Sequence, residues 1–330
     1  MLRPLILTLL SLIIAGSGVW ALLALWYQLS WQGIARQGLL VGWVLAVISS
    51  LVALWYYSAL LAVLGHALLF ACVLFWWSTI KPSNDRDWTD DLAQNTTGVI
   101  EGDTARVFNV RNFDWTSLED YQVRWENREY DLTRLTSVDM ITSHWGVPGV
   151  AHVLVSFGFG NDEYVVFSVE IRREQGQSFS EVGGFFKKFE LSVVATDERD
   201  AVRVRTNVRD EDVYIYRTRI KDDQARRLFA AFVEEANQLA ATPRFYHTVT
   251  ANCTTLVFRM MRKIIPDLPL DYRLLLSGHL PSYVQQVGGL QKELSLDELQ
   301  RRGRITDRAL QAGEAEDFSR QIRVGVPGWE

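Results

Sequence analysis

Acidic residues are absent from the first 80 positions of this 330-residue chain, and all 39 Asp and Glu lie beyond them. The same 80 residues carry only Arg3 and Arg36 as basic residues. Cysteine is scarce as well, with Cys72 in the apolar part and Cys253 in the charged part. A single cysteine in the charged part excludes a disulfide framework there. The uneven charge predicts that the first 80 residues lie in lipid and the rest in water.

The apolar part is long enough for three membrane spans. Its first run has the roughly 20 residues that a bilayer requires. The second run, 38–80, would measure about 64 Å as one helix, about twice the hydrocarbon core, so it must reverse near Tyr57 and Ser58. A signal peptide is disfavoured, because the first run is too long and no small-residue cleavage site closes it. We predict a transmembrane region, 1–80, with spans at about 4–27, 37–57 and 60–80, and a soluble domain at 81–330.

The flanking charges give the expected orientation. Arg3 and the amino terminus favour a cytoplasmic start, which Arg36 weakly opposes. Three spans then place the soluble domain outside. In a bacterium this means a multi-pass protein of the inner (cytoplasmic) membrane with a periplasmic domain.

The soluble part lacks the patterns of several function classes. Acids outnumber bases in it, which argues against nucleic-acid binding. Its histidines show neither HExxH nor paired-cysteine spacing, so no metal site is expected. Gly158-Phe159-Gly160-Asn161 has neither the third glycine nor the following helix of a nucleotide loop, and we expect no cofactor.

Strand patterns precede helix patterns in the soluble part, which predicts an α+β domain with a mostly antiparallel sheet. Helical spacing begins at Asp222 and continues to Ala240, and a second helix follows Cys253 and ends at Pro266. Near the end, 296–300 reads as helix and 322–324 as strand. The predicted strands are 105–110, 150–159, 164–172, 189–195, 202–206 and 213–218.

Cys253 directly precedes a helix-like run, in Ala251-Asn252-Cys253-Thr254-Thr255. Unpaired N–H groups and the dipole at a helix start favour thiolate, so the position suits a nucleophile. The alternative is a small buried apolar residue.

Two apolar strands flank a turn centred near Asn161. With that centre, His152 lies opposite Glu170 on one face of the sheet, and a carboxylate there would orient the imidazole. A shift of one residue would separate the two side chains. Otherwise His152 is a half-buried histidine, and Glu170 pairs with Arg172 or Arg203.

Six segments of the soluble part resemble the Lnb N-terminal periplasmic domain family. They are 82–88 (PSNDRDW), 109–115 (NVRNFDW), 151–152 (AH), 168–172 (SVEIR), 198–200 (ERD) and 252–255 (NCTT). The order of the His strand, a second polar residue and Asn-Cys at a helix start also resembles the circularly permuted, papain-like enzymes of the NlpC/P60 class.

This resemblance implies a thiol acyltransferase. Cys253 would be the nucleophile, His152 the base and a polar residue, for which we choose Glu170, the orienting group. The family includes a lipoprotein N-acyltransferase, which implies a phospholipid donor, a diacylglyceryl lipoprotein acceptor and a lipid bilayer as partners. The candidate substrate-binding residues are Asn252, Thr254, Trp145, Arg86 and Trp88.

Other interpretations remain open. His247 stands where many members of the family have Asn, so it is a second candidate imidazole or a packing residue. His66, within a span, is either functional or hydrogen-bonded between helices. A membrane-tethered cysteine amidase or peptidase acting on cell-wall peptides would use the same side chains. A non-catalytic envelope accessory protein would leave Cys253 inert.

Overall fold

The structure, a computed structural model, describes residues 2–329 and contains two compact units. The first consists of the chain up to Ser83 together with Phe179–Lys188. The second consists of Asn84–Ser178 and the chain from Phe189 onward. Residues 1 and 330, at which the predicted domains begin and end, lie outside the described residues.

Three apolar helices form the first unit: α1 (Leu2–Gln28), α2 (Gly33–Tyr56) and α3 (Ala59–Thr79). Each is long and apolar enough to cross a membrane. The reversal between α2 and α3 falls at the predicted Tyr57 and Ser58. Gly18 lets α1 and α2 approach closely, because a Cβ there would lie 2.9 Å from the methyl carbons of Val47.

A segment of later sequence packs with these helices. Phe186 stacks on Tyr27 with ring centroids 5.7 Å apart. Lys187 donates a hydrogen bond to the carbonyl of Trp77 at 2.8 Å. Phe179–Lys188 thus belongs to the helical unit although it lies far along the chain. The predicted division at residue 80 did not anticipate it.

The second unit contains an eight-stranded sheet in the order β1-β2-β9-β8-β7-β6-β10, with β5 also paired to β2. Neighbouring strands are antiparallel, apart from a parallel contact between β2 and β9. A separate pair, β3 and β4, lies outside this sheet. The strands are β1 (Thr97–Glu101), β2 (Thr104–Arg111), β3 (Asp114–Trp115), β4 (Tyr121–Gln122), β5 (Trp125–Asp131), β6 (Ser137–His144), β7 (His152–Gly158), β8 (Tyr164–Arg172), β9 (Glu190–Thr196) and β10 (Asp212–Arg217).

Helices cover both faces of this sheet, which confirms the α+β class. Phe157 and Phe167 pack against α5 and α6, whereas Leu154 and Val166 pack against α4, α9 and α10. The two faces alternate along each strand, as expected for a sheet buried on both sides. The helices are α4 (Glu198–Arg203), α5 (Asp222–Ala241), α6 (Thr255–Ile264), α7 (Leu280–Gln286), α8 (Leu296–Gly303), α9 (Thr306–Ala312) and α10 (Phe318–Arg323).

Two predicted strands are wrong. Residues 202–206 complete α4 and enter a π-helical turn at Val204–Val208. Residues 322–324 end α10 instead of forming a strand. In both places buried ion pairs hold the helical backbone, since Asp200 pairs with Arg111, and Arg323 pairs with Asp139 and Glu198. Tertiary contacts of this kind override a weak local β preference.

Candidate active site

The side chain of Asn252 caps the start of α6, next to Cys253. Its Oδ1 accepts hydrogen bonds from the backbone N–H of Thr254 at 3.0 Å and of Thr255 at 2.8 Å. Its Nδ2 donates to the carbonyl of Thr248 at 2.6 Å. This capping satisfies two of the N–H groups that a helix start leaves unpaired. Cys253 is therefore held just before the first turn of α6, half-buried.

The β7–β8 hairpin has the register predicted from its turn. Leu154 pairs with Ser168 and Gly158 with Tyr164, so the numbers of opposed residues sum as expected for a centre at Asn161. The ladder ends at Leu154, and His152 and Glu170 lie just beyond it. His152 Nε2 is 3.1 Å from Glu170 Oε1. The predicted proximity of imidazole and carboxylate is confirmed.

Ser168 and Arg205 complete the surroundings of the Glu170 carboxylate. Ser168 Oγ lies 2.7 Å from His152 Nε2 and donates to Glu170 Oε1 at 2.6 Å. Arg205 Nη2 donates to the same oxygen at 3.2 Å. Alternation along β8 could have identified Ser168, which shares a face with Glu170. Arg205 was hidden because its segment reads as a strand.

The alternative ion-pair partners of Glu170, Arg172 and Arg203, bind other groups. The Arg172 guanidinium binds Asn84 Oδ1 and the carbonyls of Leu92 and Ala93. Arg203 instead pairs with Asp114 and Glu314. The arginine that pairs with Glu170 is Arg205.

The electrostatics favour a charged imidazole. Burial lowers the pKa of His152, but attraction to the Glu170 carboxylate and hydrogen bonds with Cys253 and Glu170 outweigh it and raise the pKa to about 9. Burial likewise opposes the ionised form of Glu170, yet His152 and Arg205 hold the pKa of its carboxyl well below its ordinary value.

Buried ion pairs fix the helix that carries Arg205. Asp200 on α4 accepts hydrogen bonds from Arg111 Nε at 2.9 Å, from Trp115 Nε1 at 2.8 Å and from the Phe113 backbone. Glu198, two residues earlier on α4, pairs with Arg323 of α10 at 2.6 Å. These contacts fix α4 against strands and helices from both ends of the domain, and Arg205 follows α4 directly.

Two predicted substrate-binding residues are occupied by other contacts. Trp88 is 7% exposed, its Nε1 donates to the carbonyl of Asn84, and Arg172 lies over its ring. It is therefore buried in the domain and does not anchor in a lipid head-group layer. Arg86 pairs with Glu174 and Glu190, each at 2.8 Å, so its charge is already neutralised.

The other predicted positions have mixed outcomes. Asn252 and Thr254 are buried, and the Thr254 hydroxyl bonds to Asn252 and the Leu274 carbonyl, so both position the thiol and do not present polar groups to a substrate. Trp145 stays exposed in the β6–β7 loop, and its substrate contact remains a prediction.

His247 Nδ1 accepts hydrogen bonds from the backbone of Val249 and Thr250, which favours a structural role. In the first unit, His66 Nε2 lies 2.8 Å from Ser17 Oγ, an interhelical hydrogen bond.

Comparisons with known proteins found one family. The sequence model of the Lnb N-terminal periplasmic domain matches residues 121–278, a range that includes His152, Glu170 and Cys253. The match is narrower than the predicted resemblance, since it leaves out 82–88 and 109–115. No curated protein and no solved structure matched the chain. Together with the three candidate membrane helices, the match supports a membrane-anchored protein in which residues 121–278 are similar to the Lnb N-terminal periplasmic domain.

Proposed function

We propose that this protein is a thiol acyltransferase of the bacterial inner membrane. It would take an acyl chain from a phospholipid and pass it to the N-terminal amine of a diacylglyceryl lipoprotein. The observation that carries the proposal is the contact between the His152 imidazole and the Glu170 carboxylate, together with the interaction of Cys253 with His152 that helps to raise the pKa of the imidazole. A carboxylate that orients an imidazole beside a thiol is the arrangement needed to activate a nucleophile.

In the first half-reaction the Cys253 thiolate attacks the ester carbonyl of the phospholipid. A carbon–sulfur bond forms, and the ester carbon–oxygen bond breaks. The His152 imidazolium gives its proton to the departing oxygen, so a lysophospholipid leaves and a thioester remains. Glu170, held by Ser168 and Arg205, keeps the imidazole oriented during this transfer.

The carbonyl oxygen becomes negative in each tetrahedral intermediate and needs a donor. Asn252 already satisfies the backbone N–H groups of Thr254 and Thr255. Among the described residues, none accepts a hydrogen bond from the backbone N–H of Cys253 at this turn. We assign this N–H group to the oxyanion, because a preformed donor at that position stabilises the developing charge.

In the second half-reaction the lipoprotein amine attacks the thioester. His152, now neutral, accepts the amine proton, the carbon–nitrogen bond forms, and the carbon–sulfur bond breaks to regenerate the thiolate. An amine acceptor distinguishes this reaction from hydrolysis, in which water takes the same place. The acceptor therefore decides between the transferase and the amidase or peptidase interpretation.

The test is to determine the acylation state of a lipoprotein N-terminus by mass spectrometry in cells that depend on this protein. Wild-type protein and the Cys72→Ala control should give an N-acylated terminus. Cys253→Ala and His152→Ala should fold but leave the amine free. An N-acylated terminus in cells carrying only Cys253→Ala would overturn the proposal and favour the accessory interpretation. A free amine with the wild-type protein would favour the hydrolase.

A further inference from the structure

An apolar cavity of about 300 Å³ lies within the soluble unit, beside the helix that starts at the thiol. Thr254, which caps α6, and the α6 residues Val257 and Met261 are among the residues that line it. Val153, which follows His152 on β7, lines it as well. Most of the lining is aliphatic or aromatic carbon. Packed interiors hold few voids of this size, and an empty one is destabilising in proportion to its volume.

Cys253 lies where the two core clusters that enclose the cavity meet. One cluster contains Val155, Leu228 and Leu256, and the other contains Val153, Leu274 and Leu280. Cys253 packs against both. Thr254, the next residue, is itself part of the cavity wall. Cys253 thus adjoins a residue of the cavity wall and contacts both clusters that enclose the cavity.

The dimensions of the cavity suit one acyl chain. Its lining on and after α6 extends from Thr254 to Ile265, which at 1.5 Å per residue is about 16 Å. A lipid acyl chain spans about half of a hydrocarbon core of ~30 Å, or about 15 Å. The volume is about twice that of the ~150 Å³ cavity that takes up benzene, which corresponds to roughly 12 carbon atoms.

We propose that this cavity binds the acyl chain of the thioester on Cys253 and sets the chain length that the enzyme accepts. The inference rests on the proposed acyltransferase function. The chain would leave the sulfur past Thr254 and lie along α6 among Val257, Met261 and Val153. Burial of its methylene groups would supply the binding energy, and the volume of the cavity would limit the chain that fits.

The test compares Met261→Trp, which fills the cavity, with Arg259→Trp, which places the same side chain on the exposed side of α6. The full-length proteins are incubated in nanodiscs with phosphatidylethanolamines whose identical chains range from roughly 8 to roughly 18 carbons, bracketing the estimate of about 12. The mass of the intact protein reports the thioester. Wild type and Arg259→Trp should prefer chains of about 12 to 16 carbons, whereas Met261→Trp should shift the preference to shorter chains and lose the longest ones at least tenfold.

A thioester on Met261→Trp with the wild-type chain-length profile would overturn the cavity assignment and leave the proposed function intact. If wild type forms no thioester with any chain, the function fails, and the cavity is tested separately by displacement of a fluorescent fatty acid with palmitate in Cys253→Ala. Palmitate should bind there and lose at least tenfold in affinity when Met261→Trp is added. Equal affinity in the two proteins would overturn the assignment. Val257→Phe, a smaller change, replaces Met261→Trp if the latter does not fold.

Discussion

His152 contacts two polar side chains of β8, Ser168 and Glu170, through its Nε2 atom. Interaction with Cys253 contributes to the raised pKa of the same imidazole. The Glu170 oxygen in turn accepts hydrogen bonds from Ser168 and Arg205. An arrangement with this many contacts fixes the orientation of the imidazole before any substrate binds.

Glu170→Gln tests this arrangement. Removing the charge should lower the pKa of His152 toward its ordinary value and weaken the activation of the Cys253 thiol by the imidazole. A charged hydrogen bond contributes about 1.5–3 kcal/mol, so we expect alkylation of Cys253 by iodoacetamide to slow about tenfold or more. The measurement uses a Cys72→Ala background, so that Cys253 is the only thiol. Glu163→Gln, at the far end of the same hairpin, is the control. Equal rates in all three proteins would contradict the role of Glu170.

The raised pKa of His152 also predicts how stability depends on pH. The folded protein favours the protonated imidazole, so this contribution is fully present below pH 6.5 and is lost as the pH rises through about 9. We expect stability to fall over that interval by roughly 1–3 kcal/mol. Thermal unfolding of the detergent-solubilised protein at a series of pH values measures the change. In His152→Gln the drop should be smaller, and an identical drop would assign it to another group.

At the scale of elements, the hairpin was predictable and α4 was not. Gly160, Asn161 and Asp162 all adopt positive φ angles, a backbone conformation that these residue types accept readily, so the turn and its register followed from sequence. The segment after Asp200 contains alternating valines that read as a strand. Its helical conformation depends on Arg111, 89 residues earlier in the chain. A contact over that separation has no local signal.

Strand β6 was missed for a related reason. It contains Ser137, Asp139, Thr142 and Ser143, all buried, so it lacks the alternation of polar and apolar residues on which the prediction relied. Asp139 is compensated by Arg323, 184 residues further on. Two of the segments that resemble the family, 109–115 and 198–200, are also joined by contacts between distant parts of the chain, because they meet at the Asp200 carboxylate. These two segments support the candidate site from a distance.

Asp200→Ala tests the support of α4. The change leaves the Arg111 guanidinium buried without its partner, and breaking a buried pair in this way costs about 3–5 kcal/mol. We expect a large loss of stability in urea unfolding of the detergent-solubilised protein. Asp114→Ala, which removes a half-exposed carboxylate, should change stability by less than about 1 kcal/mol. Equal effects of the two substitutions would show that the Asp200 contacts do not hold α4.

At the scale of the whole molecule, three predicted spans place the soluble unit on the periplasmic side. Val324 is 64% exposed in that unit and provides a labelling position. Val324→Cys, introduced with Cys72→Ala and Cys253→Ala, should react with a membrane-impermeant maleimide in intact spheroplasts. Labelling only after lysis would place the unit in the cytoplasm and exclude access to periplasmic lipoprotein termini.

The most direct test of the central claim is the mass of the intact, detergent-purified protein after incubation with a defined phospholipid. We expect an added acyl mass on the wild-type protein, its loss in Cys253→Ala and its release by hydroxylamine, which cleaves thioesters. A wild-type protein that gains no acyl mass while Cys253 still reacts with iodoacetamide would contradict the acyltransferase mechanism.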